Sequence, residues 1–104
     1  MKEEKALSNQ EKESLDKIKK TNKKSILLNV GMKLRAAREK KRLSQVSLTH
    51  KLYAFGFYVS VDSIISYELG RVQIPLATLL VIATILDMDL NTLKKDLNLK
   101  MIDM

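Results

Sequence analysis

The chain has 104 residues, with 19 Lys and Arg against 12 Asp and Glu, a formal net charge of +7, no cysteine and one histidine. That length leaves little for a second core; the missing cysteines exclude a disulfide framework, a thiolate zinc site and a cysteine nucleophile, and a lone His50, read as a solvated helix residue, excludes a multi-histidine metal centre. The opening Met-Lys-Glu-Glu-Lys lacks the apolar core of a signal peptide, and the longest apolar stretch, from Ile74 to Leu86, falls short of the roughly 20 residues of a membrane span. The expectation is a cytoplasmic protein with no membrane partner, and with 5% aromatic residues its core should be aliphatic.

The charge is unevenly placed. Residues 1–24 carry 8 basic and 5 acidic side chains, residues 25–71 carry 8 and 3, and residues 72–104 carry 3 and 4. A basic surface beside a neutral segment suits a chain that meets a polyanion with one part and something else with the other.

Residues 1–24 offer only Ala6, Leu7, Leu15 and Ile18 as apolar side chains, and so read as a flexible, Lys-rich arm. The spacing of Ser8 and Glu11 matches a capping box and leaves open a frayed helix over residues 8–20. From Ile26 the texture changes: Ile26, Leu27, Val30, Leu34, Ala37 and Arg38 keep a helical spacing as far as Lys41, with Lys33, Arg35, Lys40 and Lys41 on the other face. Ser44 is placed to cap a second helix through Leu48, Leu52 and Phe55, and Gly56 closes it. Ser60 offers the next cap, for a short helix from Val61 to about Leu69 with Ile64 and Tyr67 facing inward, and Gly70 ends it. After a loop, Pro75 opens a fourth helix, Leu76 to about Leu86, that is apolar on nearly every side. Asp89 can cap a fifth through Leu90, Leu93 and Leu97, and the tail alternates Leu97, Leu99 and Met101. Five helices and no strand make an all-α domain over residues 25–97, with an arm before it and a tail, 98–104, after it.

Three stretches, Gly31 to Gln45, Ser60 to Gly70 and Pro75 to Leu86, together resemble the helix-turn-helix domain of the phage-repressor (Cro/cI, Xre-type) family. The carriers are the Gly31…Leu34-Arg35…Arg38 start of the first helix, Leu43-Ser44-Gln45 at the second, and Ile64-Ile65-Ser66-Tyr67-Glu68-Leu69-Gly70 closing the third. The likeness spans residues 26 to 97. It departs from the common pattern between the second and third helices, where Tyr53 to Tyr58 fill a place that usually holds a single glycine, as in a longer-loop variant of the family.

The resemblance implies a five-helix, lambda-repressor-like domain whose residues 61–69 form a recognition helix, set by its N-terminal end into the major groove of double-stranded DNA. It places Val61, Asp62 and Ser66 nearest the base edges, with Ser63 and Ile65 also outward, Gln45 within reach of a base or phosphate, and Arg71 on a phosphate. Unpaired backbone N–H groups at the two helix starts, with the hydroxyls of Ser44 and Ser60, should attract phosphate. Lys33, Lys40, Lys41 and Arg42 add charge, unless they form only a solvated face. The base-reading set contains no Arg, Asn or Gln on the recognition helix; Val61 and Ile65 can meet thymine methyls, Asp62 can accept from a cytosine amino group, and Ser63 and Ser66 are permissive. Either Gln45 and the arm carry more of the specificity or DNA shape does. Val61 and Ile65 have an alternative place, packed beneath the aromatic link.

In the family, charged residues at the positions of Arg38 and Glu68 form a buried or semi-buried pair bridging the first helix to the third, a structural role expected here too. Members of this size bind palindromic operators as two-fold dimers. If Leu79, Ile82, Ala83 and Leu86 face inward, Leu76, Leu80, Val81 and Ile85 are apolar surplus that could form a homodimer patch with Leu97, Leu99, Met101 and Ile102. The alternative is a tail folded back over the fourth helix of its own chain. The implied function is a transcriptional regulator, most simply a repressor, with no cofactor, no small-molecule ligand and no enzymatic activity. A protein-interaction module, such as an antitoxin or bridging coactivator, is the competing reading.

Overall fold

The computed structural model describes residues 8–95. Among them the chain is all-helical, with helices α1 (Asn9–Lys40), α2 (Gln45–Ala54), α3 (Val61–Glu68), α4 (Leu76–Leu86) and α5 (Thr92–Lys95). None of these helices is long and apolar enough to cross a membrane.

The first helix corrects the expected arm. Residues 9–24 are helical and continuous with 25–40, a single helix of 32 residues. Ser8 Oγ accepts from the Glu11 N–H at 3.1 Å, and the Glu11 carboxylate accepts from the Ser8 N–H at 3.4 Å, so both halves of the capping box form. The physical reason for the extension is propagation. A helix is costly to nucleate and cheap to lengthen; once residues 26–40 are fixed by packing, a lysine-rich run with no glycine or proline before Gly31 gives nothing at which to stop.

The core draws from four helices. Leu34 of α1, Leu48 and Leu52 of α2, Ile64 of α3, and Ile82 and Leu86 of α4 form one buried aliphatic cluster. Truncating any of these to alanine should cost about 2–5 kcal/mol. Around them pack Ala37, Leu43, Phe57, Val59, Tyr67, Ile74, Val81, Ile85 and Met88.

Two glycines let α1 and α3 approach backbone to backbone. A Cβ on Gly31 would stand 2.4 Å from the Tyr67 carbonyl oxygen and 2.6 Å from that of Glu68. A Cβ on Gly70 would meet the Leu28 backbone at 2.8 Å, and Gly70 itself has φ +68°, the left-handed conformation in which it ends α3.

The helix ends share one device. After α1, α2, α3 and α4 the chain turns with paired hydrogen bonds of the Schellman type: Leu43 N–H to Arg38 C=O, Phe57 to Leu52, Arg71 to Ser66 and Met88 to Ala83. Gly56 and Gly70 hold the left-handed position in two of them, Arg42 (φ 56°) and Asp87 (φ 54°) in the others.

This device explains a second correction. Phe55, expected on the inner stripe of the second helix, is 59% exposed, because α2 stops at Ala54 and the turn carries Phe55 away from the core. Phe57, two residues on, folds back onto it. Asp89 takes its expected place before α5, its carboxylate accepting from the Asn91 N–H at 2.9 Å, but α5 is one turn long. The Leu97 expected in that helix lies outside the described residues.

Candidate nucleic-acid interface

The helices α2 and α3 begin with the same chemistry. Ser44 Oγ accepts from the Ser47 N–H at 3.0 Å and Ser60 Oγ accepts from the Ser63 N–H at 3.1 Å, while each cap hydroxyl also bonds the hydroxyl three residues on, at 2.9 and 3.0 Å. Both caps have extended backbone (ψ 165° and 160°), the geometry that leaves the remaining first-turn N–H groups directed out of the helix start. Asp62 is the acidic residue in the first turn of α3, where the helix dipole favours it.

Along α3 the described surface differs from residue to residue. Asp62 is exposed; Val61, Ser63, Ile65 and Ser66 are half-buried; Ile64 and Glu68 are buried. Ile65 helps to line a shallow hollow with Arg35, Arg38, Ser44, Gln45, Glu68 and Leu69, between the start of α2 and the end of α3. Arg71 is exposed, immediately after the glycine that ends α3.

The C-terminal end of α3 is fixed by a buried ion pair. Arg38 Nε donates to Glu68 Oε2 at 2.6 Å and Nη2 to Glu68 Oε1 at 2.9 Å, a bidentate fork, while Nη1 donates to the Leu43 carbonyl at 2.7 Å. The hydrogen bonding of Arg38 to the Glu68 carboxylate raises the Arg38 pKa above its already high ordinary value, against the opposing effect of burial. Gln45 completes the group by donating Nε2 to Glu68 Oε1 at 3.1 Å. Gln45, expected within reach of a base or phosphate, has its observed partner inside the chain and ties the head of α2 to the foot of α3. The missed signal was Glu68 itself: a bidentate arginine leaves a carboxylate with lone pairs to satisfy, and burial makes a third donor necessary.

The link between α2 and α3 is aromatic and open. Tyr53 and Tyr58 meet edge to face, with ring centroids 4.9 Å apart and planes at 78°, and the Tyr58 hydroxyl donates to that of Tyr53 at 3.4 Å. That hydrogen bond raises the Tyr58 pKa above the ordinary phenol value. Tyr58 is 84% exposed, and with Thr49, His50, Tyr53, Phe57, Val59, Ser60 and Ser63 it lines an open groove beside the α3 start. Val61 and Ile65 are half-buried, which falls between the two places considered for them.

The basic residues do not all present themselves alike. Lys40, Lys41 and Arg42 are exposed where α1 ends, whereas Lys33 Nζ donates to the Thr92 carbonyl and Arg35 pairs with Glu39 at 3.0 Å across one helical turn. Exposed i, i+4 pairs of this kind add little stability.

The expected dimer residues divide. Val81 and Ile85 are half-buried and pack against the chain's own core, because α4 sinks more than one face into it; Leu80 (44%) and Leu76 (71%) remain exposed. Leu99 and Met101 lie outside the described residues. Among the described residues no group of three His, Cys, Asp or Glu is arranged to hold a metal ion. No family model, curated protein or solved structure matches the chain.

Proposed function

We propose that the chain is a sequence-specific DNA-binding transcriptional regulator of the phage-repressor helix-turn-helix type, acting as a repressor in the cytoplasm and binding a palindromic site as a homodimer. The observation that carries this reading is the pair of identically capped helix starts, Ser44 on α2 and Ser60 on α3, with the head of α2 tied to the foot of α3 through Gln45, Glu68 and Arg38. Two unpaired helix N-termini held in fixed relation are suited to a phosphate chain, and the segment that holds them carries 8 of the 19 basic residues against 3 acidic ones.

In this reading the start of α3 enters the major groove. Asp62 accepts from a cytosine amino group, Ser63 and Ser66 make permissive contacts, and Val61 and Ile65 offer methyls to thymine. Ser44, Ser60, Arg71 and the exposed Lys40, Lys41 and Arg42 serve the phosphates. With Gln45 engaged by Glu68, the specificity falls on a short polar set and on the shape of the duplex. The dimer contact is assigned to Leu76 and Leu80 of α4. No catalytic step and no cofactor is part of the proposal.

Binding of the full chain to random duplex DNA, followed by anisotropy as salt is raised, tests it. A protein making 6–10 phosphate contacts loses about 10³–10⁵ in affinity between 50 and 200 mM salt. Loss on that scale is the expected result; no retention on DNA at the lowest salt would sink the proposal. The exposed Tyr53, Phe55 and Tyr58 favour a second reading, in which this aromatic face grips a protein. Binding to DNA that is unchanged by Tyr58→Ala, together with a partner captured only by the unsubstituted chain, would support it.

A further inference from the structure

All six lysines between residues 9 and 24 of α1 are exposed, and the helical register gathers them on one side. At about 100° per residue, Lys12, Lys17, Lys19, Lys20, Lys23 and Lys24 fall within an arc of about 160°. Its centre is a single row: Lys20 and Lys24 are followed at intervals of three and four residues by Leu27, Gly31, Leu34 and Arg38. Burial does not force this gathering, because Gln10, Glu11, Ser14 and Thr21 are exposed outside the arc and none is a lysine. Glu13 and Asp16 offset only two of the six charges. Among the described residues none of the six takes part in an ion pair.

The row changes character at a point fixed by α3. Gly31, Leu34 and Arg38 are buried, and Gly31 lies against the Tyr67 and Glu68 carbonyls. Gly70 abuts the Leu28 backbone, and Arg71 after it is exposed. Lys24 stands one turn before Leu28 and Lys20 two turns before it, so the cations continue past the foot of α3 in steps of about 6 Å.

We propose that Lys20 and Lys24, with the lysines beside them, bind the phosphates of the duplex flank next to the site met by α3. This contact rests on the DNA-binding reading and extends it to a second stretch of the same partner. A duplex carries one charge per about 1.7 Å of axis, so a rigid cationic row finds phosphates along its whole length, whatever the sequence. Lys20 lies about 16 Å along α1 from Gly31, which matches about five base pairs at 3.4 Å each. An anionic membrane is the other polyanion a lysine-rich helix can meet, and the apolar content argues against it. Leu15 and Ile18 are the only large apolar side chains over residues 9–24, and both are half-buried.

Full-length Lys20→Gln/Lys24→Gln removes two charges at nearly constant helix propensity, so its melting temperature should match that of the unsubstituted chain. On a duplex selected from a random pool, with long flanks, the slope of log affinity against log salt should fall by about 1.8, since each phosphate contact contributes about 0.9. The fall should be the same on a scrambled duplex. Full-length Lys94→Gln/Lys95→Gln removes equal charge from exposed positions of α5 and should change the slope by less than half as much. Trimming about five base pairs from each flank should abolish the difference between the Lys20/Lys24 variant and the unsubstituted chain. An unchanged slope, an equal fall in the α5 variant, or a difference that survives trimming would each overturn the flank contact while DNA binding by the unsubstituted chain stands. No retention of the unsubstituted chain at the lowest salt would remove both. Loss of binding to phosphatidylserine vesicles in the Lys20/Lys24 variant, with its DNA slope unchanged, would overturn the contact and assign the row to a lipid surface.

Discussion

The two ends of α3 differ in nearly every physical respect. At its C-terminal end the backbone touches α1 across Gly31, Glu68 is buried in a fork with Arg38, and Gly70 turns the chain where no Cβ fits. At its N-terminal end the cap is a serine, Asp62 is exposed, and Tyr53 and Tyr58 stand in solvent beside it. Eight residues separate a locked anchor from an open tip. In the proposed function an anchored helix with a free, polar N-terminal end is a reader held by its base, and substitutions should therefore divide into those that unfold the protein and those that change only what it binds.

The largest effect belongs to the anchor. Gly31→Val forces side-chain atoms into the Tyr67 and Glu68 carbonyls, neither of which can move without displacing α3, and should leave the chain largely unfolded by circular dichroism at ordinary temperature. A cooperative melt near that of the unsubstituted protein would refute the close approach. Next comes the ion pair. Arg38→Ala strands a buried Glu68 and should cost about 3–5 kcal/mol in denaturant unfolding, with Gln45 unable to replace the fork. An unchanged melting temperature would mean that the pair is not buried in solution.

At the tip the expected changes are smaller and of another kind. Ser60→Ala removes the α3 cap and should cost about 1 kcal/mol of stability. Asp62→Asn should leave stability within about 0.5 kcal/mol, raise affinity for unrelated duplex by removing a negative charge from the tip proposed to meet a polyanion, and weaken discrimination at one base pair by about 1–3 kcal/mol. Parallel binding to selected and scrambled duplexes measures both; equal losses on the two would show that Asp62 reads nothing. The smallest stability effect is that of Tyr58→Ala, within about 0.5 kcal/mol, since the ring is exposed.

The same contrast marks what the sequence could show. The anchor was legible because its parts are local and chemically singular: charged residues at inward-facing positions and a glycine just past a helix end. The open and peripheral parts were less so. Periodicity carried Phe55 inward because a stripe does not record where a Schellman turn stops it, and it left Val81 and Ile85 as surplus because an all-apolar helix does not say how many of its faces are covered. The arm was misjudged for a related reason. Apolar content over residues 9–24 describes that segment alone, whereas its helix is templated by the packed half that follows it. The Gln45 contact is not visible to local pattern because the lone pair it satisfies lies 23 residues away, on Glu68.

The central proposal for this protein is that the tip of α3 meets duplex DNA. Amide chemical-shift mapping of the nitrogen-labelled full chain, titrated with a duplex selected from a random pool, addresses it most directly. The predicted result is perturbation concentrated at residues 44–47 and 60–66 and at Arg71, with α4 responding only if the dimer forms on the DNA. Perturbation confined to Tyr53, Phe55 and Tyr58, or absent at the α3 start, would contradict it.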